Sequence, residues 1–265
     1  MSSLDPFPLV AIDIGNSRAK LGLFTAGLGK MLPEPERTLY VGEDVSEMDQ
    51  IGDWLKEAFA PGGTWWIGSV NRPSTTRLVN WLRTHRPNDP VTLLAAGDVP
   101  LRVELPRPDM VGVDRLLDVV AANRLRRPDR PAVVVDVGSA ITVDLVSADG
   151  AFRGGAILPG LAMSARALHT FTDLLPLVDM TELASPPPPL GTATVAAMRS
   201  GLFWGTVGAI RQLVELLARD AGGQPDVFLT GGAGPVVAEL LGPSAKHVPH
   251  LTLAGIALSA VGSPR

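Results

Sequence analysis

Two stretches of the chain, LVAIDIGNSRAKLGLF (residues 9–24) and AVVVDVGSAITVDLV (132–146), share one pattern. Each is a β-branched apolar run that reaches an Asp, an apolar residue and a Gly, passes through small polar residues, and resumes as a second alternating run. Such runs, bounded by turn residues, read as strands, and a pair of them across a short polar break reads as a hairpin. Asp13 and Asp136 stand about half a chain length apart. One hairpin constrains little. The same hairpin twice argues for internal duplication, with chance similarity as the alternative. The expected fold class is therefore α/β, with two duplicated halves facing a central cleft, divided at 1–115 and 116–265.

The remaining punctuation fits that plan. Apolar spacing of three and four predicts helices over 48–60, 75–85 and 111–127, and again over 161–174, 193–219 and 234–241. A strand is expected within GTWWIGSVN (63–71) and another in PDVFLTGGAG (225–234), where it runs into a glycine loop. ASPPPPLG (184–191) cannot lie inside a helix or strand, because each proline fixes φ and removes a donor. The helix GLFWGTVGAIRQLVELLA (201–218) suits either the core or a contact with a second copy, and its periodicity favours the core.

Composition narrows the function classes. With 46% hydrophobic and 19% charged residues over 265 positions, the chain has material for a sizeable core. A net charge of −4 and the absence of any basic block argue against a nucleic-acid partner. There is no cysteine, which rules out disulfides and thiolate chemistry and favours the cytoplasm. MSSLDPFPLV lacks the charge and the apolar run of a signal peptide, and no stretch reaches the ~18 apolar residues of a membrane helix. His85, His169, His247 and His250 form no HExxH pattern, and the lone H-x-x-H reads as loop chemistry.

The chemistry then rests on glycine turns and carboxylates. Two Asp-Gly turns offer backbone N–H groups to phosphate oxygens and carboxylates to a cation. TGGAG (230–234), between a strand and a helix, offers more N–H groups, though a plain turn would look the same. AGLGKM is no P-loop, since Phe24 stands at the first glycine and Met31 where Ser or Thr must ligate Mg²⁺. No GxGxxG follows a strand. In GVDR (112–115), Asp114 opens a helix, where the dipole favours an ionised carboxylate able to accept an alcohol proton. A simple capping Asp is the plainer reading.

DIGNSRAK, GVDR, DVGSAITVD, GGAILPGL, GTATVAAMRSG and TGG, in this order between residues 13 and 232, resemble the type III pantothenate kinases, also known through Bvg accessory factor members. That family belongs to the acetate and sugar kinase/Hsp70/actin superfamily of duplicated ribonuclease-H-like (actin-like ATPase) domains. The resemblance implies ATP-dependent phosphorylation of pantothenate to 4′-phosphopantothenate, the opening step of coenzyme A synthesis, by a cytoplasmic homodimer. It implies ATP contacts from Asp13, Ile14, Gly15, Asn16, Ser17, Arg18, Ala19 and Lys20, with Asp13 near Mg²⁺. Ser139, in place of a usual Thr, and Thr230, Gly231 and Gly232 would also contact ATP. Gly112, Val113, Asp114, Arg115 and Thr194 would contact pantothenate, with Asp114 as the catalytic proton acceptor. Asp136 would help hold a monovalent cation, K⁺ or NH₄⁺. One position departs from the pattern: Leu105 stands where relatives usually carry a pantothenate-contacting Tyr. A kinase of another small alcohol, or a non-catalytic nucleotide-binding regulatory relative, are the alternatives it leaves open.

Overall fold

A computed structural model describes residues 6–25, 29, 31–42, 45–55, 63–180 and 185–262, with backbone alone for 45–47. Asp5, most of the AGLGKM stretch, residues 56–60 of the helix expected at 48–60, and Ala184 lie outside these. The chain forms two compact units, Met1–Leu125 with His250–Arg265, and Arg126–Pro249.

In the first unit the expected hairpin is β1 (Leu9–Ile14) against β2 (Ala19–Phe24). β3 (Arg37–Val41) extends it antiparallel. Helix α1 (Val45–Leu55) leads to β4 (Thr64–Ser69), parallel to β1, and α2 (Arg72–His85) to β5 (Val91–Leu94), parallel to β4. The sheet order is β3-β2-β1-β4-β5. α2 begins three residues earlier than the apolar spacing predicts. Asn71 caps it, accepting the Ser74 N–H at 3.1 Å, and a proline occupies its first turn.

Alternation along β1 sends Val10, Ile12 and Ile14 into one core with Ile51, Leu55, Leu78 and Leu82 from α1 and α2. The other face is covered by α3 (Val113–Leu125), whose Leu117 Cδ1 fills the space above Gly68. β1 is buried on both faces, as its unbroken apolar sequence requires.

The second unit repeats the plan. β6 (Ala132–Val137), β7 (Ala140–Val146) and β8 (Phe152–Pro159) form an antiparallel run. After α4 (Leu161–Thr170) and α5 (Thr194–Asp220), β9 (Asp226–Thr230) pairs parallel with β6. α6 (Gly234–Leu241) then leads to β10 (Ala245–His247), parallel to β9. Reading β8-β7-β6-β9-β10 against β3-β2-β1-β4-β5 gives the same order and the same directions, so the α/β duplication holds. On α5, Phe203, Val207 and Ile210 pack on the sheet, as the periodicity of 201–218 predicts.

The last helix, α7 (Leu251–Gly262), belongs to the first unit and packs against α3. Gly255 makes this possible, because a β-carbon there would overlap the Leu117 backbone carbonyl. The units therefore divide ten residues beyond the 115/116 boundary expected, and the second half gives its final helix to the first unit. The expected cut would have run through α3, whose buried Leu116, Leu117, Val119 and Ala121 bind it to the first unit as one rigid element. No helix among the described residues is long and apolar enough to cross a membrane.

Candidate functional site

In the first unit the site is built at the ends of β1 and β4. Asp13 is the penultimate residue of β1, in register with Lys20 on β2 and Gly68 on β4. Gly15, Asn16, Ser17 and Arg18 form the four-residue turn, closed by Gly15 N–H donating to Arg18 O at 3.1 Å. Asn16, Ser17 and Arg18 are exposed. Ile14, before the turn, is buried, and its carbonyl accepts the Val70 N–H at 3.1 Å. Ala19 and Lys20, after it, are half-buried.

Val70 links this turn to the start of α3. A β-carbon at Gly112 would lie 3.6 Å from Val70 Cγ1 and only 2.6 Å from Asp114 Oδ1. The absence of a side chain at Gly112 thus leaves the space that the Asp114 carboxylate occupies. Asp114 Oδ1 accepts the Arg115 N–H at 2.8 Å. Burial raises the Asp114 carboxyl above the ordinary aspartate value, outweighing this hydrogen bond and the Arg115 charge, which act downward. Val113 is buried behind it and Arg115 half-buried beside it. Leu105 sits half-buried in the preceding loop. Val70 therefore lies near both the end of β1 and Gly112 at the start of α3.

Val70 and its neighbours Ser69 and Asn71 were missed by motif reasoning. Ser69 Oγ accepts from the Thr75 hydroxyl at 2.6 Å and from Asn71 N–H at 3.0 Å, fixing the bend between β4 and α2. In sequence these residues show only a strand running into a loop.

The second unit carries its own group. Asp136 is the penultimate residue of β6 and pairs in register with Thr230, the buried last residue of β9. Gly138 and Ser139 make a two-residue turn into β7, with Gly138 N–H donating to Ala140 O at 3.2 Å. Gly231 has φ +88, and a β-carbon there would overlap Asp136 Oδ1 and lie 2.6 Å from Val137 O. Gly160 presses on the same turn, its N–H donating to Ser139 O at 3.1 Å. Asp136, Gly138, Ser139, Thr230 and Gly231 are thereby gathered, with Gly232 exposed beside them. Thr194 is exposed in the first turn of α5, and no hydrogen bond found among the described residues ties it to Asp136 or Ser139.

The donor chemistry fits metal carried on a substrate better than a protein-built cage. Among the described residues no three His, Cys, Asp or Glu side chains come together to hold a metal. Single carboxylates beside glycine turns suit Mg²⁺, which keeps phosphate and water oxygens as most of its ligands. The Asp136 carboxylate, pressed between Gly138 and Gly231, supplies the oxygen chemistry a hard monovalent cation takes.

The model of the family described as type III pantothenate kinase matches residues 9–216. The chain belongs to that family. The matched stretch contains Asp13, Leu105, Gly112–Arg115, Asp136, Ser139 and Thr194, while Thr230–Gly232 lie beyond it. The type III pantothenate kinase of Paramagnetospirillum magneticum is 35% identical over 243 residues, covering 87% of this chain and 88% of its own. That of Rhodospirillum rubrum is 33% identical over 261 residues, covering 94% and 96%. Among solved structures, ethanolamine utilization protein EutJ from Carboxydothermus hydrogenoformans matches with a TM-score of 0.53 at 14% identity, over 97% of this chain and 92% of its own. That likeness is one of fold.

Proposed function

We propose that the protein transfers the γ-phosphoryl group of ATP to the primary hydroxyl of pantothenate, giving 4′-phosphopantothenate, the first step of coenzyme A biosynthesis. The observation that carries this reading is the Asp114 carboxylate, given room by Gly112 and raised by burial, on a chain of the type III pantothenate kinase family. A general base works best when its pKa approaches the working pH, and burial moves Asp114 in that direction.

Asp114 accepts the hydroxyl proton as the new O–P bond forms and the bond to ADP breaks. Gly112, Val113, Arg115 and Thr194 hold pantothenate, and Asp13 to Lys20, Ser139 and Thr230 to Gly232 hold ATP. Mg²⁺ arriving with ATP, near Asp13, supplies charge neutralisation at the transferring phosphoryl. Asp136 holds K⁺ or NH₄⁺. Leu105 removes one hydroxyl from the acceptor side, a net contact of ~0.5–1.5 kcal/mol.

The protein works in the cytoplasm as a homodimer. Supporting the dimer is the apolar segment after α4, where Phe171 and Leu174 expose 85% and 86% of their surface and Leu177 61%. Such side chains in one short stretch suit burial against a second copy.

A coupled ADP-release assay tests the reaction. ADP release that requires pantothenate, and is faster in K⁺ than in Na⁺, is the expected result. Turnover with sugars or polyols in its place assigns another acceptor. Calorimetric binding of ATP and pantothenate without turnover makes the protein a non-catalytic relative.

A further inference from the structure

Tyr40 is the chain's only tyrosine, and no motif assigned it a role. It lies on β3 in register with Lys20 on β2, which in turn pairs with Asp13 on β1. Register partners across antiparallel strands share a face, so Asp13, Lys20 and Tyr40 form one row across three strands. The Tyr40 ring takes two cations from the β1–β2 hairpin, one in its turn and one on β2. The Arg18 guanidinium carbon lies 4.7 Å from its centroid and the Lys20 ammonium 5.8 Å. Tyr40 is 44% exposed, so it is not there to fill a core.

We propose that Tyr40 is a positioning residue for ATP, its ring holding Arg18 and Lys20 in the orientation from which they meet the phosphates. This rests on the assignment of residues 13–20 to ATP. The reason is entropic as well as electrostatic. Arg18 sits in an exposed four-residue turn, and a long cationic side chain there is costly to immobilise when ligand arrives. A π-face within about 6 Å attracts the cation beforehand, so part of that ordering is already in place in the free protein. Asp13 occupies the far end of the row, and the ring sets Lys20 between a carboxylate and a π-face.

The test is a KM-against-kcat comparison with calorimetric ATP titration as a second readout. Tyr40→Leu should raise the KM and Kd for ATP about two- to five-fold, the scale of an exposed cation–π contact. Its kcat and KM for pantothenate should stay at wild-type values. Tyr40→Phe, which keeps the ring, should match wild type in every constant. In an Arg18→Gln background the Tyr40→Leu effect should shrink, because part of the coupling is already gone. Tyr40→Leu with unchanged ATP constants overturns the proposal. So does Tyr40→Phe as impaired as Tyr40→Leu, or an equal rise in both KM values with a lowered Tm, the mark of a merely structural role. Wild-type protein that binds ATP without turnover leaves the calorimetric test intact while ending the phosphoryl-transfer reading. Wild type that binds no ATP ends both.

Discussion

The two Asp-Gly hairpins occupy the same place in two sheets of the same topology, yet their turns are built differently. The β1–β2 turn has four residues and exposes Asn16, Ser17 and Arg18. The β6–β7 turn has two, and Gly160 and Gly231 press directly on its backbone and on Asp136. The first offers side chains. The second offers a carboxylate and backbone groups, in a space where a single added methyl group has no room. Duplication supplied the scaffold twice, and turn length then decided which groups each copy presents.

Side-chain chemistry in the first unit is most sharply broken at Asp114. Asp114→Asn keeps an oxygen to accept the Arg115 N–H but removes the base, so kcat should fall about 10²–10⁴-fold. The pH behaviour has a definite sign. The proposed base role needs the ionised form, so kcat/KM should fall as pH drops through a carboxyl value above the ordinary aspartate range. Stability runs the other way. A carboxyl raised on folding contributes fully below its unfolded pKa, and that contribution is lost as pH rises through the folded value. Ionised Asp114 therefore costs stability at neutral pH. Asp114→Asn should raise Tm at pH 7, and the difference should close at acid pH. A variant that keeps wild-type kcat in the ADP-release assay removes Asp114 from the base role.

The same contrast extends to the helices that follow the fifth strand of each repeat. α3 opens with Asp114 and Arg115 and buries Asp118. α7 contains no charged residue and is almost wholly buried. One carries the proposed base and the other packs against it. Gly255→Ala tests that division, because its β-carbon would lie 2.6 Å from the Leu117 carbonyl carbon. Forcing α7 off α3 should cost about 1–3 kcal/mol in chemical denaturation. Since Leu117 is one turn from Asp114, kcat should fall too, though far less than in Asp114→Asn. A denaturation midpoint equal to wild type would show that α3 and α7 have room to separate freely.

What the sequence made legible follows from periodicity. The buried strands β1, β4, β6, β7 and β9 and the amphipathic helices α1 to α6 have strong patterns and were read from them, whereas the uniformly apolar α7 was not. β3, β5 and β10 were not. Each is a sheet edge, short and partly exposed, and RTLYV, VTLL and AKH leave little alternation to detect. For the same reason nothing in the sequence tied Tyr40 to the Asp13 turn. The strand that brings its ring to Arg18 had no signature. Asp13 and GVDR were visible as turn and helix-start chemistry, but Val70, which joins them, was not. Its place depends on a backbone hydrogen bond to Ile14 and on lying close to Gly112, neither of which leaves a mark on residue type.

The finest test of the comparison is a pair of identical substitutions, one in each copy. Gly231→Ala must place a side chain at φ +88 and into Asp136 and the Val137 backbone, so a cost of about 1–3 kcal/mol is expected, with weakened ATP binding. Gly15→Ala meets only Arg18 O at 3.5 Å, an ordinary contact, with φ outside the left-handed region. Its stability should stay within about 0.5 kcal/mol of wild type. The ATP constants of Gly15→Ala then decide what the first turn does. If side chains make its contacts, they should hardly move. A tenfold rise in KM for ATP on an unchanged fold would mean instead that the backbone at Gly15 closes on the phosphate, and that the two turns bind by the same means despite their different lengths.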